Sequence, residues 1–293
     1  MSDALRRYLR QQAELGGAEA VLSRPLAELP RPTGKAAPSA EPPAEETDMG
    51  AKARRELRTP PAAAPAAPVA AGTPHEAPRG GKDWRTGAPP IPGPGLVIAP
   101  PPQDLLAPRA WDTLEQVAQA VAGCTKCFLA KGRTNVVPGE GNPRAQLVLV
   151  GEGPGQTEDQ TGRPFVGRAG ELLNGILAAI GYAREEVFIC NVVKCRPPQN
   201  RKPLPDEMAA CSPFLSAQLA ILKPRVILAL GATAAEALLQ AKRSLSDLRG
   251  KVHSYHGIPL VVTYHPAALL RNPAWKKPTW DDVRIARQLV DVG

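Results

Sequence analysis

The sequence has few aromatic residues and no long apolar run. Its 293 residues include only four each of Trp, Tyr and Phe. No stretch reaches the roughly 18 consecutive apolar residues of a membrane-spanning helix, and the first residues lack the apolar core of a signal peptide. We therefore expect a cytoplasmic protein with no membrane partner. In that reducing compartment, clustered cysteines indicate metal or redox chemistry rather than disulfides.

Proline is abundant but unevenly distributed. Of the 34 prolines, 20 lie in the first 110 residues, mostly among Ala, Gly and charged residues. Residues 23–110 do not have enough apolar surface to offset the entropy of ordering, so we predict a disordered Pro/Ala-rich linker. Residues 1–22 are predicted to contain a short helix with Ser2 as its N-cap. This helix is either a docking peptide for a replication or repair protein or a solvated tail.

The chain is basic, with 36 Lys and Arg against 28 Asp and Glu. From Trp111 onward, 22 Lys and Arg stand against 16 Asp and Glu, so the region expected to fold is itself positively charged. This excess fits a polyanionic partner. A charge that only keeps the protein soluble is the alternative, and composition does not distinguish the two.

Apolar strands alternate with helices in residues 111–293, which are predicted to form one catalytic domain. Four strands are predicted, at residues 145–150, 187–193, 225–231 and 260–264. Helices are predicted from Asp112 as a cap to Gly123 and at residues 169–180, 205–222, 232–240 and 281–290. Such alternation predicts an α/β fold with a parallel sheet covered on both faces. His253 and His256 fall outside these elements and are expected at the surface.

A long Gly/Pro loop, Gly151–Gly155, follows the first predicted strand. Glycine lets a ligand approach the backbone closely, and open α/β sheets bind ligands at the carboxyl edge of their strands. The loop continues through Glu158 and Asp159 to Phe165. A loop of this length without regular structure is usually functional or disordered, so we predict a site here rather than an ordinary connection.

Polar side chains also lie near the carboxyl ends of the second and fourth predicted strands. Asn191 both donates and accepts hydrogen bonds, so it can match N3–H and O4 of uracil and mismatch cytosine. His265 can hydrogen-bond an oxygen on which negative charge develops. The alternatives are an Asn that caps a loop and a structural His. A further basic group can contact phosphates or form a solvated face: Arg271, Lys276 and Lys277.

Four of the five cysteines have a spacing that suits a metal centre. Cys124 and Cys127 form a C-x2-C pair, 67 residues separate Cys127 from Cys195, and 15 more precede Cys211. Four thiolates suit Zn²⁺ or an iron–sulfur cluster, and the residues alone do not choose between them. Two free pairs of cysteines, or buried thiols, are the alternative. Cys190 lies in an apolar strand and is expected to be a core thiol.

Residues 111–293 resemble the family 4 uracil-DNA glycosylases, the iron–sulfur branch of the uracil-DNA glycosylase superfamily. The resemblance rests on the cysteine spacing and on three motifs, which stand here as GEGPG (151–155) continuing through GRPFVG (162–167), NVVKCRPP (191–198) and HPAALLR (265–271). It implies a three-layer α/β/α sandwich with a four-stranded parallel sheet. We separately expect the protein to be a monomer. It also implies a [4Fe-4S] cluster on four residues: Cys124, Cys127, Cys195 and Cys211.

The same resemblance implies a DNA repair enzyme that flips uracil out of DNA and hydrolyses its N-glycosidic bond, leaving an abasic site. It implies that Phe165 stacks on the base, Asn191 reads its polar edge and His265 stabilises negative charge at O2. The backbone from Gly151 to Gly153 is expected to line the pocket. The implied partner is uracil-containing DNA.

One departure concerns the water that attacks the sugar. In the related family 1 enzymes, the first motif carries an Asp that activates water and a Tyr that blocks thymine. This chain has Gly153 and Gly155 at those positions. Glu152 is therefore the candidate for holding the water, with Glu158 and Asp159 behind it.

Two other functions are considered. The first is a relative that binds uracil-DNA covalently without turnover. That branch has a basic, His-containing insertion after the second strand, whereas Asn191 here runs directly into Lys194–Pro197. The second is a four-cysteine nucleic-acid-binding module, tethered by its N-terminal tail to a replication or repair partner.

Overall fold

The computed structural model of the protein describes residues 83–99 and 110–292. Within them, one sheet is built from seven strands: β1 (Pro94–Ile98), β2 (Glu140–Gly141), β3 (Leu147–Gly151), β4 (Phe188–Asn191), β5 (Val226–Leu230), β6 (Val252–Tyr255) and β7 (Ile258–Thr263). Their order is β1-β6-β7-β5-β3-β4-β2. Strands β4, β3, β5 and β7 run parallel, so their carboxyl ends lie at one edge.

The prediction of an α/β fold is confirmed, but the prediction of a four-stranded sheet is wrong. The four predicted strands are the parallel centre of the sheet, where unbroken apolar runs are buried on both faces. The three additional strands lie toward the edges: β2 is antiparallel to β4, β6 is antiparallel to β7, and β1 is parallel to β6. Strand β2 has only two residues, and β6 alternates half-buried and buried positions, so neither gives a long apolar run.

The prediction of a disordered linker over residues 23–110 is wrong for the part of it that the structure describes. Strand β1 lies within it and pairs with β6, and Ile98 is buried. Trp84 is also buried, beside the guanidinium of Arg287. Proline is compatible with the first residue of a strand at a sheet edge, so a Pro-rich composition did not exclude this one. The predictions for residues 1–82 and 100–109 lie outside the described residues.

His253 is a buried contact of β1 rather than a surface residue. Its Nδ1 accepts a hydrogen bond of 2.9 Å from the Leu96 amide, and its Nε2 lies 2.7 Å from the Leu248 carbonyl oxygen. A Cβ added at Gly95 would lie 2.4 Å from Nδ1. Burial lowers the pKa of His253, so the neutral imidazole joins β1 to the rest of the domain.

Helices cover both faces of the sheet. They are α1 (Leu114–Ala122), α2 (Gln156–Thr161), α3 (Arg168–Ala179), α4 (Pro205–Leu222), α5 (Ala232–Leu239), α6 (Leu245–Leu248), α7 (Pro266–Arg271) and α8 (Lys276–Val292). One core cluster joins Val148 of β3 to Val117 of α1 and Phe214 of α4, and a second joins Leu149 to Leu173 of α3 and Val283 of α8. Alternate residues of β3 therefore face two helical layers, which gives a three-layer sandwich.

Three helix starts differ from the prediction, that of α3 by one residue, at Arg168 rather than Ala169. The N-cap of α1 is Thr113 rather than Asp112, because the Thr113 hydroxyl accepts from the Gln116 amide and the Gln116 side chain reaches back to complete a capping box. Helix α8 begins at Lys276, five residues before the predicted start. Among the described residues, no helix combines the length and apolar character that crossing a bilayer requires.

Candidate active site

A cleft of about 390 Å³ opens at the carboxyl edge of the parallel strands. It is bounded by the loop after β3, the end of β4, the start of α5 and the start of α7. Five of the six predicted pocket residues line it: Glu152, Gly153, Phe165, Asn191 and His265. The parallel strands all end at this edge of the sheet, so the segments that follow them lie close together. Residues far apart in sequence therefore meet here.

The sixth predicted residue, Gly151, lies beneath the cleft at the end of β3. A Cβ added there would lie 2.4 Å from Asn191 Oδ1 and 2.6 Å from the ring of Phe165. Only glycine lets both side chains pack against the backbone at this point. Gly151 is also the register partner of Asn191 across the β3–β4 pair.

Asn191 presents an unpaired acceptor in the cleft. Its side chain is 1% exposed, and its Oδ1 has no hydrogen-bond partner among the described residues. Its backbone carbonyl accepts 2.9 Å from the Nζ of Lys194, which also donates 2.6 Å to Gln218. A buried amide oxygen without a partner is costly and is typical of a site that receives a donor from a ligand.

Phe165 and His265 form a stacked pair in the cleft wall. Their ring centroids lie 5.4 Å apart with planes inclined by 29°. The Nδ1 of His265 accepts 3.2 Å from the Ala267 amide, so the neutral ring carries its proton on Nε2. Burial, aided by the nearby Arg271 guanidinium, lowers the pKa of His265 to about 4. At neutral pH the ring is therefore an uncharged donor.

Thr233 was missed by the sequence analysis. Its hydroxyl donates 2.5 Å to Oε2 of Glu152, and its side chain is 3% exposed at the start of α5. Gly231, at φ +93°, ends β5 and turns the chain into this helix. The third predicted strand was the sequence signal that could have identified Thr233. The carboxyl end of that strand had to lie at the same edge as Asn191 and His265.

The two predicted supports of Glu152 have different surroundings. Glu158 lines the cleft, but its oxygens accept from three backbone amides, those of Gly155 at 3.1 Å and of Val166 and Gly167 at 2.9 Å. It therefore holds the loop in shape. Asp159 is not part of the cleft lining, and its buried carboxylate accepts 2.9 Å from the Thr134 amide.

The three predicted basic residues separate in the structure. Arg271 lines the cleft, whereas Lys276 and Lys277 are exposed at the start of α8. Lys277 lies 3.5 Å from the carboxylate of Asp281. Arg271 is thus the one of these three placed beside the predicted base pocket.

Four cysteines line one small cavity between α1, the end of β4 and α4: Cys124, Cys127, Cys195 and Cys211. Arg133 donates 3.2 Å to Cys195 Sγ, and the Lys194 amide donates 3.3 Å to Cys211 Sγ. Burial raises the pKa of Cys211 to about 11, so a thiolate there requires a cation. Cys190 is fully buried within β4 and does not line this cavity.

Among residues 83–99 and 110–292, no three Cys, His or acidic side chains are placed to hold a metal ion. Four cysteine side chains around one cavity are nevertheless the donor set of either a zinc site or an iron–sulfur cluster.

Comparison with known proteins connects this geometry to a family. The model of the uracil DNA glycosylase superfamily matches residues 138–285. The chain belongs to this superfamily. A type-4 uracil-DNA glycosylase of Thermotoga maritima is 53% identical over 163 residues, which cover 55% of this chain and 85% of the relative.

Other relatives identify the branch of the superfamily. A type-4 uracil-DNA glycosylase of Sulfurisphaera tokodaii is 46% identical over 187 residues, covering 61% of this chain and 85% of the relative. A type-5 uracil-DNA glycosylase of Thermus thermophilus is 35% identical over 186 residues, covering 56% of this chain and 84% of the relative. With its motifs and higher identities to type-4 members, the chain is a type-4 member of the uracil-DNA glycosylase superfamily.

In this glycosylase, one loop connects the cysteine cavity to the cleft. It runs from Cys195 to the start of α4, the helix that carries Cys211, and its residues Pro197, Asn200 and Arg201 line the cleft. Asn200 has a φ of +55°, an uncommon conformation that its surroundings must maintain. Cys195 before this loop and Cys211 on the helix after it are therefore placed to fix the wall of the cleft.

Proposed function

We propose that this protein releases uracil from DNA by hydrolysing its N-glycosidic bond and leaves an abasic site. The observation that carries the proposal is the buried, unpaired Oδ1 of Asn191 in a cleft beside Phe165 and His265. That oxygen accepts the N3–H of uracil, and the amide nitrogen donates to O4. Cytosine has neither the N3 hydrogen nor an oxygen at C4, so it leaves the same amide unsatisfied.

The target base must first leave the duplex. Extrusion costs a few kcal/mol, and stacking on an aromatic side chain returns roughly 1–3 kcal/mol. Phe165 supplies this surface, since its ring lies against Gly151 and beside the Asn191 amide at the base of the cleft. Arg271 at the cleft rim contacts phosphate of the extruded strand.

Cleavage then develops negative charge on the departing base. The Nε2–H of neutral His265 donates to uracil O2 as this charge appears. A preorganised donor of this kind is typically worth about 2.7–4 kcal/mol in the transition state. The fixed tautomer matters, because Nδ1 is already occupied by the Ala267 amide.

Glu152 holds the attacking water. Thr233 occupies its Oε2 and leaves Oε1 for the water, which adds at C1′ as the glycosidic bond breaks and gives up its proton to this carboxylate. This assignment follows from the absence of an Asp at Gly153 and from the position of the carboxylate in the cleft wall. Glu158 is occupied by three backbone amides and has no such freedom.

We further propose that the four cysteines hold a [4Fe-4S] cluster: Cys124, Cys127, Cys195 and Cys211. Their placement around one cavity, with a guanidinium and a backbone amide directed at two sulfurs, fits an anionic thiolate centre. When bound, the cluster braces the loop that lines the cleft. The hydrolytic steps use only protein side chains and water.

The deciding experiment uses the full chain and a labelled oligonucleotide with a single uracil. We expect alkali-sensitive cleavage at the uracil and none when thymine replaces it. Asn191→Ala should abolish release, whereas Lys277→Ala, on the exposed start of α8, should not. A crosslinked product without free uracil would indicate the covalent-binding alternative. Wild-type protein that binds the oligonucleotide but releases no base, with binding unchanged by Asn191→Ala, would indicate a nucleic-acid-binding module instead.

A further inference from the structure

We infer that Arg184 is a positioning residue that fixes Phe165 as the stacking surface for the extruded base, an inference that rests on the proposed function. Arg184 begins a 3₁₀ turn before β4 and was not singled out by any sequence motif. It does not line the cleft, so any effect on uracil release must pass through another residue.

Phe165 has a backbone conformation that requires external support. Its φ is +50°, in the left-handed region that large side chains rarely adopt. Residues in such regions persist only where surrounding contacts over-determine them, and they concentrate at functional sites. The aromatic ring is 5% exposed, so the strained backbone aims a buried ring at the cleft.

The Arg184 guanidinium provides much of this support. It donates 3.1 Å to the Phe165 carbonyl, and also donates to the Pro164 carbonyl. Two further acceptors hold the guanidinium itself, Asn174 Oδ1 at 3.0 Å and Glu140 Oε1 at 2.8 Å. The Arg184 side chain is only 13% exposed. A rigid fork of five donors can serve acceptors in several directions, which a lysine ammonium on a flexible stem cannot reproduce.

Helix α3 restricts the same carbonyl from another direction. A Cβ added at Gly170 would lie 1.9 Å from the Phe165 oxygen, so the helix backbone approaches it as closely as glycine allows. The Glu158 carboxylate holds the next two amides, Val166 and Gly167. Arg184 is therefore the side chain that donates to the carbonyls of Pro164 and Phe165. Glu140 of β2 in turn holds the Arg184 guanidinium in place.

This arrangement predicts a specific kinetic defect. If the Arg184 guanidinium is removed, the Phe165 backbone relaxes and the ring is no longer held in the stacking position. DNA binding should change little, because Arg184 contacts protein groups. The maximal single-turnover rate of uracil release should fall, since the base must then be extruded without its preformed surface.

Arg163 provides a matched control. It pairs with the same carboxylate, Glu140, at 2.8 Å, but its side chain is 59% exposed and it makes no contact with the Phe165 carbonyl. We expect Arg184→Met to lower the maximal rate about tenfold, toward the lower end of the range for loss of a stacking contact. Arg163→Met should stay within about twofold, as expected for an exposed ion pair. Arg184→Lys should recover only part of the loss.

A double-mutant cycle with Phe165→Ala separates positioning from general stability. If Arg184 acts through Phe165, adding Arg184→Met to Phe165→Ala should cause almost no further loss of rate. Independent, multiplicative losses would overturn the inference, as would equal rates for Arg184→Met and Arg163→Met. Thermal melts establish that the Arg184→Met variant is folded. The fluorescence of 2-aminopurine placed beside the uracil then reports base extrusion, which should be impaired in this folded variant. If wild-type protein released no uracil, the proposed function would fail instead.

Discussion

Thr233 donates a 2.5 Å hydrogen bond to Glu152, joining the start of α5 to the loop after β3. The two residues follow different strands, and each lies in the wall of the cleft. The hydroxyl fixes one carboxylate oxygen and so determines where the other oxygen points. If Glu152 holds the attacking water, Thr233 sets the position of that water relative to C1′.

Replacing Thr233 tests this relationship. Thr233→Val keeps the side-chain shape but removes the donor, and a hydrogen bond to a charged group is worth about 1.5–3 kcal/mol. We expect the single-turnover rate of uracil release to fall at least about tenfold. Thr233→Ser keeps the hydroxyl and should retain most of the rate. Equal rates for the Val and Ser variants, with matching melting temperatures, would mean that Glu152 works without this bond.

The cysteine cavity makes a second prediction. Cys195→Ala should remove bound iron and visible absorbance from the purified protein, because Cys195 lines the cavity with the other three thiols. Uracil release should fall as well, since the loop that starts at Cys195 contributes to the cleft. Cys190→Ala is the matched control: this thiol is buried within β4, and its removal should leave iron content unchanged. Equal iron in the two variants would contradict the proposed ligand set.

Sequence patterns predicted the centre of the fold better than its edges. The runs that became β3 and β5 are wholly buried, so hydrophobicity alone marked them. Strand β1 gave no such signal, because it starts at a proline and only the last of its five residues is buried. Its stability comes from pairing with β6 and from the His253 ring, both more than 150 residues away. Local composition does not report contacts at that distance.

The same limit applied to the candidate site. Asn191 and His265 were identifiable because a polar residue at the end of an apolar strand must lie at the carboxyl edge. Thr233 needed one more step, since two residues separate it from the end of β5. Arg184 was beyond sequence reasoning, because its role depends on the backbone conformation of Phe165 and on carbonyls that no residue pattern reveals.

The depressed pKa of His265 predicts how stability depends on pH. Burial and Arg271 lower this pKa to about 4 in the folded protein, whereas an exposed histidine titrates near 6.5. Between these values the unfolded chain binds more protons, so stability falls as pH falls. The contribution of His265 to the free energy of unfolding is complete above about pH 6.5. It is lost progressively as the pH falls toward 4, by at most about 1.4 kcal/mol per pH unit.

Urea unfolding at pH 7 and pH 5 measures this effect. The wild-type protein should lose more stability across this interval than His265→Gln, which has no titrating ring. NMR of the folded wild-type protein should show His265 titrating near pH 4. His253, whose pKa burial also lowers, remains in both proteins and cancels in the comparison. A His265 titration near pH 6.5 would show that the ring is not held neutral by its surroundings.

The contact between β1 and His253 makes the last prediction, which concerns stability. A Cβ added at Gly95 would lie 2.4 Å from His253 Nδ1, whereas nothing lies within 4 Å of a Cβ added at Gly93. The imidazole cannot turn aside, because Leu96 and Leu248 hold its two nitrogens. Gly95→Ala should therefore lower the free energy of unfolding by about 1–3 kcal/mol, as overpacking does elsewhere.

Gly93→Ala is the control for Gly95→Ala, because it makes the same substitution two residues earlier. It should leave stability unchanged or raise it slightly, because alanine reduces the entropy of the unfolded chain by up to about 1 kcal/mol. Urea unfolding of the two full-length variants measures the difference directly. Similar stabilities would mean that residues 94–98 contribute little to the folded domain. A large difference would instead establish β1 as part of the domain, and would place the boundary of the domain before residue 94 rather than at residue 111.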